Sequence, residues 1–142
     1  MAKLMERFSV HGNKALVTGG SKGIGAAVAK VLAEAGADVA IVGRDRKGLA
    51  DVAGIVRQAG CECLPIEADL RSSEGSQRVA EQTLLHFGTI DILVNNAGIT
   101  YVEPLVDISI EHWEEIQAVN VRTPFILSKL LAPSMIAQQH GG

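Results

Sequence analysis

With 142 residues, 47% of them hydrophobic and 20% charged, the chain has the size and composition of one globular domain and of neither a disordered nor a fibrous protein. Its formal charge of -3 supplies no basic surface for a nucleic acid and no acidic tail. The N-terminal MAKLMERFSVHG bears Lys3, Glu6 and Arg7 without a signal-peptide apolar run, and no window approaches the ~20 apolar residues of a membrane span, so a cytoplasmic protein without a membrane partner is expected.

Ala15-Leu16-Val17 is a short apolar run that ends in Thr18-Gly19-Gly20, and from Ala26 the apolar spacing becomes helical through Val28, Val31, Leu32 and Ala35. This predicts strand, turn and helix, with Gly36 closing the helix. Val39–Val42 is a second buried strand. The helix after it sets Leu49, Val52, Ala53 and Val56 on one face and stops at Gly60. Cys63–Ala68 is a third strand, placed at a sheet edge because Pro65 cannot donate to a ladder. Cys61 and Cys63, spaced to share one face of that strand, read as structural thiols, since no second Cys or His pair stands at zinc-ligand spacing.

Ser72 or Ser73 caps a third helix presenting Ala80, Leu84 and Phe87, with Gly88 as its stop. Ile90–Val94 is a fourth strand, ending in Asn95-Asn96-Ala97-Gly98. After a loop through Pro104, Ser109 caps a helix with Trp113, Ile116 and Asn120 on one stripe, Asn120 facing inward. Thr123 to Gln139 is a last apolar helix, kinked at Pro133. Apolar strands alternating with helices call for an α/β fold with a doubly wound parallel sheet covered on both faces. The sequence contains no linker or repeat, so residues 1–142 form a single domain. Strand 4 is left with an open apolar edge, because only a helix stop, His140-Gly141-Gly142, follows.

The turn between strand 1 and helix 1 carries Gly19, Gly23 and Gly25. Such a turn brings backbone N–H groups and a helix N-terminus to one point, where a pyrophosphate is held by partial positive charge. No Gly-Lys-Ser or Gly-Lys-Thr ends it, which excludes the nucleotide P-loop. The G-x-G-x-x-G pattern also fails, since Ala26-Ala27-Val28 follows Gly25.

The pattern present is T-G-x-x-x-G-x-G over Thr18-Gly19-Gly20-Ser21-Lys22-Gly23-Ile24-Gly25. It is followed in order by Asp69-Leu70 after strand 3, by Asn95-Asn96-Ala97-Gly98 after strand 4, and by Asn120 in a later helix. In this the chain resembles the short-chain dehydrogenase/reductase family, in its single-domain form, along its whole length. The resemblance implies an NAD(P)-binding Rossmann-like domain that belongs to an oxidoreductase. It also implies that Gly19, Ser21, Lys22, Gly23, Ile24 and Gly25 cradle the cofactor. Asp69 then holds the adenine amino group and Leu70 N–H the ring, while Asn96, Ala97 and Gly98 pass beside the adenine-side ribose. Asn120 is implied to kink its helix and hold a water of the proton relay, and to that extent is catalytic, although an Asn simply bonding backbone is a compatible alternative.

At the end of strand 2, where an acid would hold the ribose hydroxyls of NAD, stand Gly43 and Arg44. With Lys22 in the glycine turn, two cations favour NADP(H), while Asp45 one step on leaves NAD(H) open. The family's acid/base Tyr, with a Lys four residues later, has no counterpart: the single tyrosine, Tyr101, is followed at that spacing by Leu105. The sequence is therefore expected to be the cofactor half, ending before the catalytic Ser and Tyr-Lys pair. Tyr101, Val102 and Glu103 are assigned to the near side of a pocket for a small alcohol or carbonyl substrate (sugar, polyol, ketone or 3-oxoacyl type). His11, His86, His112 and His140 form no triad, and Glu111, Glu114 and Glu115 form a solvated helix face. In the resembling family that helix and the next build a subunit interface, which implies a homo-oligomer. The competing expectation is an inactive dinucleotide-binding or subunit-interaction module.

Overall fold

The computed structural model describes residues 9–142, so the charged segment around Lys3, Glu6 and Arg7 lies outside the described residues. The elements run β1 (Lys14–Thr18), α1 (Gly23–Glu34), β2 (Asp38–Gly43), α2 (Arg46–Gln58), β3 (Cys63–Glu67), α3 (Ser73–Phe87), β4 (Ile92–Val94) and α4 (Ile110–Gln117). A π-helical turn (Ala118–Arg122) then leads into α5 (Thr123–Gln138).

The strands form one parallel sheet in the order β3-β2-β1-β4. Along β1, Ala15 and Val17 face α1 and α2, whereas Leu16 faces α3 and α5, so alternation on a fully buried strand feeds two cores. In the first core Ala26, Ala29 and Ala33 bring α1 close to the sheet, and Leu49, Val52, Ala53 and Val56 do the same for α2. The second unites Val79, Ala80 and Phe87 of α3 with the fully buried Leu127 and Leu131 of α5. This is the Rossmann-like, doubly wound arrangement that the strand–helix alternation predicts. β3 is an edge strand, with Pro65 opposite Ile41.

Several local expectations change. Cys61 precedes β3 rather than lying on it, and its thiol donates to the Ala33 carbonyl at 3.3 Å. β4 begins two residues later than predicted, because the Asp91 carboxylate, not a strand carbonyl, accepts from Lys14 N at 2.7 Å. The outer edge of β4 is not wholly open: Gly142 N donates to Asp91 O (2.9 Å), and Leu93 N donates to Gly142 O (2.8 Å). The stripe of Trp113, Ile116 and Asn120 is no core face either, since α4 contains no buried residue and both Trp113 and Asn120 are exposed. A π-helical turn has more residues per turn than an α-helix, so Asn120 is rotated out of register with Trp113. No helix among the described residues is long and apolar enough to cross a membrane.

Candidate functional site

Starting from β1, the chain leaves the sheet toward β2 on one side and later returns to β4 on the other. The crevice outside the carboxyl ends of these strands is where such sheets bind ligands. Here it is a cavity of about 390 Å³, lined from β1's turn by Gly19, Ser21 and Lys22 and from β2's end by Gly43, Arg44 and Asp45. β3's end adds Asp69, Leu70 and Arg71, and β4's end adds Asn96, Ala97, Gly98 and Ile99.

The glycine turn is shaped by contact. Gly19 has φ +67°, and a Cβ there would lie 2.7 Å from Asn96 Nδ2; at Gly25 a Cβ would lie 2.1 Å from Gly19 O. The backbone is closed on itself by Asn96, whose Nδ2 donates to Thr18 O at 2.9 Å. Thr18 Oγ1 accepts from both Asn96 N and Ala97 N at 3.0 Å. Thr18 and Asn96 thus rivet the ends of β1 and β4 and hold the turn rigid.

Helix capping isolates α1. Asp45 caps α2, Ser72 caps α3 and Ser109 caps α4 through side-chain oxygens, whereas Lys22 at the N-cap of α1 gives no such bond and no acid stands in its first turn. The free N–H groups and positive dipole end of α1 remain available to an anion in the crevice.

At the end of β2 stand Gly43, Arg44 and Asp45, all three in the cavity lining. Gly43 packs so closely that a Cβ would meet Ser21 Oγ at 2.9 Å, and Arg44 lines the cavity. Asp45 caps α2, its Oδ1 accepting from Gly48 N at 3.1 Å.

At the end of β3, Asp69 receives Arg71: Nη2 donates to Oδ2 at 2.6 Å, and Nε and the backbone N–H donate to Oδ1 at 3.1 and 3.0 Å. These bonds lower the Asp69 carboxyl from its ordinary 3.8 to about 2. Arg71 in turn approaches Glu115 Oε1 at 3.7 Å, and Glu115 Oε2 accepts from the Tyr101 hydroxyl at 2.6 Å. Tyr101 stacks on His112, with ring centroids 3.8 Å apart, and His112 Nδ1 lies 3.0 Å from Glu103 Oε2. The bond to Glu115 favours the protonated phenol and raises the Tyr101 pKa. Tyr101 therefore holds its proton more firmly than a free tyrosine, which suits a loop anchor and not a proton donor to substrate.

Of the residues predicted from sequence, Gly19, Ser21, Lys22, Arg44, Asp69, Leu70, Asn96, Ala97 and Gly98 gather around the cavity. Gly23, Ile24 and Gly25 form the first turn of α1 without lining it, and Ile24 is exposed. Asn120 also stands off the cavity, where it clamps backbone: Oδ1 accepts from Ile99 N and Nδ2 donates to Ile99 O, both at 2.9 Å. Tyr101 lines the cavity, whereas Val102 is almost wholly exposed and Glu103 is taken up by His112. Sequence reasoning missed Arg71 and Glu115; Glu115, expected on a solvated face, is half-buried and bonded. The only signal for Arg71 was its place two residues after Asp69. Among the described residues no three metal-ligating side chains gather.

The family model for short chain dehydrogenases matches residues 13–142. A 2-dehydro-3-deoxy-D-gluconate 5-dehydrogenase of Dickeya dadantii is 34% identical over 139 residues, which are 98% of this chain and 54% of the relative. A rhamnolipid-biosynthesis 3-oxoacyl-[acyl-carrier-protein] reductase of Pseudomonas aeruginosa is 41% identical over 126 residues, 89% of this chain and 49% of the relative. Among solved structures, a metagenomic short-chain oxidoreductase in complex with NADP superposes with a TM-score of 0.89 at 38% identity, covering 94% of this chain and 61% of that one. The chain thus spans about half the length of the curated relatives it matches.

Proposed function

The chain belongs to the short-chain dehydrogenase family, and on that premise we propose that it binds NADP(H) in the cavity above the sheet as the nucleotide-holding portion of an oxidoreductase acting on a small alcohol or carbonyl compound. The observation that carries this reading is the uncapped N-terminus of α1, whose N-cap Lys22 lines the cavity, together with the β2 end, where Gly43 and Arg44 stand and Asp45 caps α2.

The residues present fit a dinucleotide. Gly19 and Gly25 let the turn fold tightly against Asn96 and its own backbone, which sets the open α1 N–H groups to hold the pyrophosphate. Asp69 meets the adenine amino group once Arg71, which holds both of its oxygens, gives way, and Leu70 N–H meets the ring. Asn96, Ala97 and Gly98 flank the ribose. Lys22 and Arg44 pair with the 2′-phosphate, each charge-assisted bond contributing ~1.5–3 kcal/mol. When bound, the nicotinamide supplies the hydride donor or acceptor. Asn120 fixes the Ile99 backbone beside the cavity, a positioning role alongside the proton-relay role implied by the resemblance. The names of the relatives support a sugar-acid or 3-oxoacyl substrate class. The apolar side chains that α4 and α5 expose, among them Trp113 and Phe125, support a homo-oligomer built on these helices.

Titrating NADPH and NADH into the protein with fluorescence detection tests the cofactor assignment. Lys22→Ala with Arg44→Ala is expected to weaken NADPH binding at least tenfold while leaving NADH within about twofold; equal losses for both cofactors would refute it. A second reading, dinucleotide binding without turnover by these residues alone, is favoured by Tyr101, whose hydroxyl is committed to Glu115 and which lacks a lysine partner at Leu105. NADP-dependent oxidation of an alcohol by this chain without added polypeptide would eliminate that second reading.

A further inference from the structure

Beyond the adenine side of the cavity lies a second, more open recess of about 480 Å³, lined by Arg44, Arg46, Glu67, Asp69, Arg78 and Gln82. Arg44 and Asp69 line both hollows, so the two are continuous. Both carboxylates of the recess are already taken: Glu67 Oε2 lies 2.8 Å from Arg46, and Asp69 Oδ2 lies 2.6 Å from Arg71. Among the described residues neither Arg44 nor Arg78 has a carboxylate at ion-pairing distance. Arg44 stands in the turn after β2 and Arg78 in the second turn of α3, so two separate elements bring unpaired guanidinium groups to one hollow. The recess carries three guanidinium groups against two carboxylates, each carboxylate bonded to another arginine, and an anion seated between Arg44 and Arg78 offsets their mutual repulsion.

We infer that Arg78 is a further specificity-determining residue of the nucleotide site, acting with Arg44 on a phosphomonoester carried at the 2′ position of the adenine-side ribose. The assignment rests on the NADP(H) reading above, which gave that phosphate to Lys22 and Arg44 alone. The chemistry is matched: a phosphomonoester is dianionic and presents several acceptor oxygens, and a guanidinium offers a planar fork of donors that fits them. Gln82, one helical turn beyond Arg78, lines the same recess and adds neutral amide hydrogen-bonding capacity. Because Arg78 is exposed, water and salt reduce its contribution, and the effect is set at ~3–10-fold in affinity.

The test is calorimetric titration of three probes, adenosine 2′,5′-bisphosphate, 5′-AMP and inorganic phosphate, into the wild-type chain and into Arg78→Gln, Arg78→Lys and Arg44→Gln. The expected result is that Arg78→Gln weakens the bisphosphate ~3–10-fold, leaves 5′-AMP unchanged and reduces the salt dependence, with Arg78→Lys intermediate. Unchanged bisphosphate binding in Arg78→Gln, with loss in Arg44→Gln, overturns the role of Arg78 and leaves the NADP(H) reading standing. Wild-type binding of the bisphosphate no tighter than 5′-AMP overturns both. Inorganic phosphate that binds as tightly as the bisphosphate and is lost in Arg78→Gln overturns the ribose-borne assignment, since the recess would then hold a free anion.

Discussion

Asp69 and Arg71 pair two residues apart at the rim of the cavity, and the pair makes a pH-dependent contribution of definite sign. The folded-state pKa of Asp69 is depressed from 3.8 to about 2, so its contribution is complete above about pH 4 and is lost as pH falls toward 2. With the two side chains 44% and 43% exposed, solvent screens the pair and its contribution is small. Urea unfolding of wild type and Arg71→Met is expected to give a small gap at pH 7 that closes between pH 4 and 2; a gap constant across that window refutes the assignment. The glycine turn, Arg44 and Asp69 were legible in the sequence because local spacing and strand ends fix them. Arg71 and Glu115 were not, and neither was the bond of Tyr101 to Glu115: these contacts join positions up to 44 residues apart on three segments, and no periodicity encodes such a meeting.

At the scale of elements, legibility followed burial. The strand runs are apolar because both faces of the sheet are covered, and the helices of the first core repeat their apolar residues at helical spacing. The π-helical turn escaped because one added residue alters the period without altering composition. The final helix is apolar around much of its girth, so composition alone does not tell which side chains lie inward. Leu127 and Leu131 do, and Thr123 fixes the start of α5 by donating to Leu70 O at 2.8 Å, directly behind the Asp69–Leu70 wall of the cavity. Leu127→Ala is therefore expected to cost about 2–5 kcal/mol in denaturant unfolding, through lost burial and an incompletely collapsed cavity. A cost below 1 kcal/mol would mean that α5 is not part of the cooperative core.

For the whole molecule, most of the large apolar side chains that are more than half exposed fall on one run of chain: Val102, Leu105 and Val106 in the loop before α4, and Ile110, Trp113, Val121, Phe125 and Ile136 in α4, the π-helical turn or α5, whereas Ile24, Val31 and Leu85 lie apart. Scattered apolar residues are ordinary on a surface, but a concentration on consecutive helices marks a contact surface. Phe125→Asp is expected to move the protein to its monomer in sedimentation velocity while leaving the far-ultraviolet circular dichroism unchanged. A sedimentation coefficient unaffected by the substitution would show that the oligomer, if formed, uses another face.

The pairing of Gly142 with β4 also bears on how the protein can be handled. Its N–H and carbonyl reach Asp91 O and Leu93 N in the alternating pattern of a parallel ladder, so the backbone at Gly142 is headed the same way as β4. β4 runs toward Asn96 and Gly98 at the rim of the nucleotide cavity. An affinity tag or reporter fused after Gly142 would thus be delivered along the sheet edge to the mouth of the binding site. A dye attached there by a short tether would serve as a proximity sensor of occupancy, and a bulky fusion partner would obstruct it.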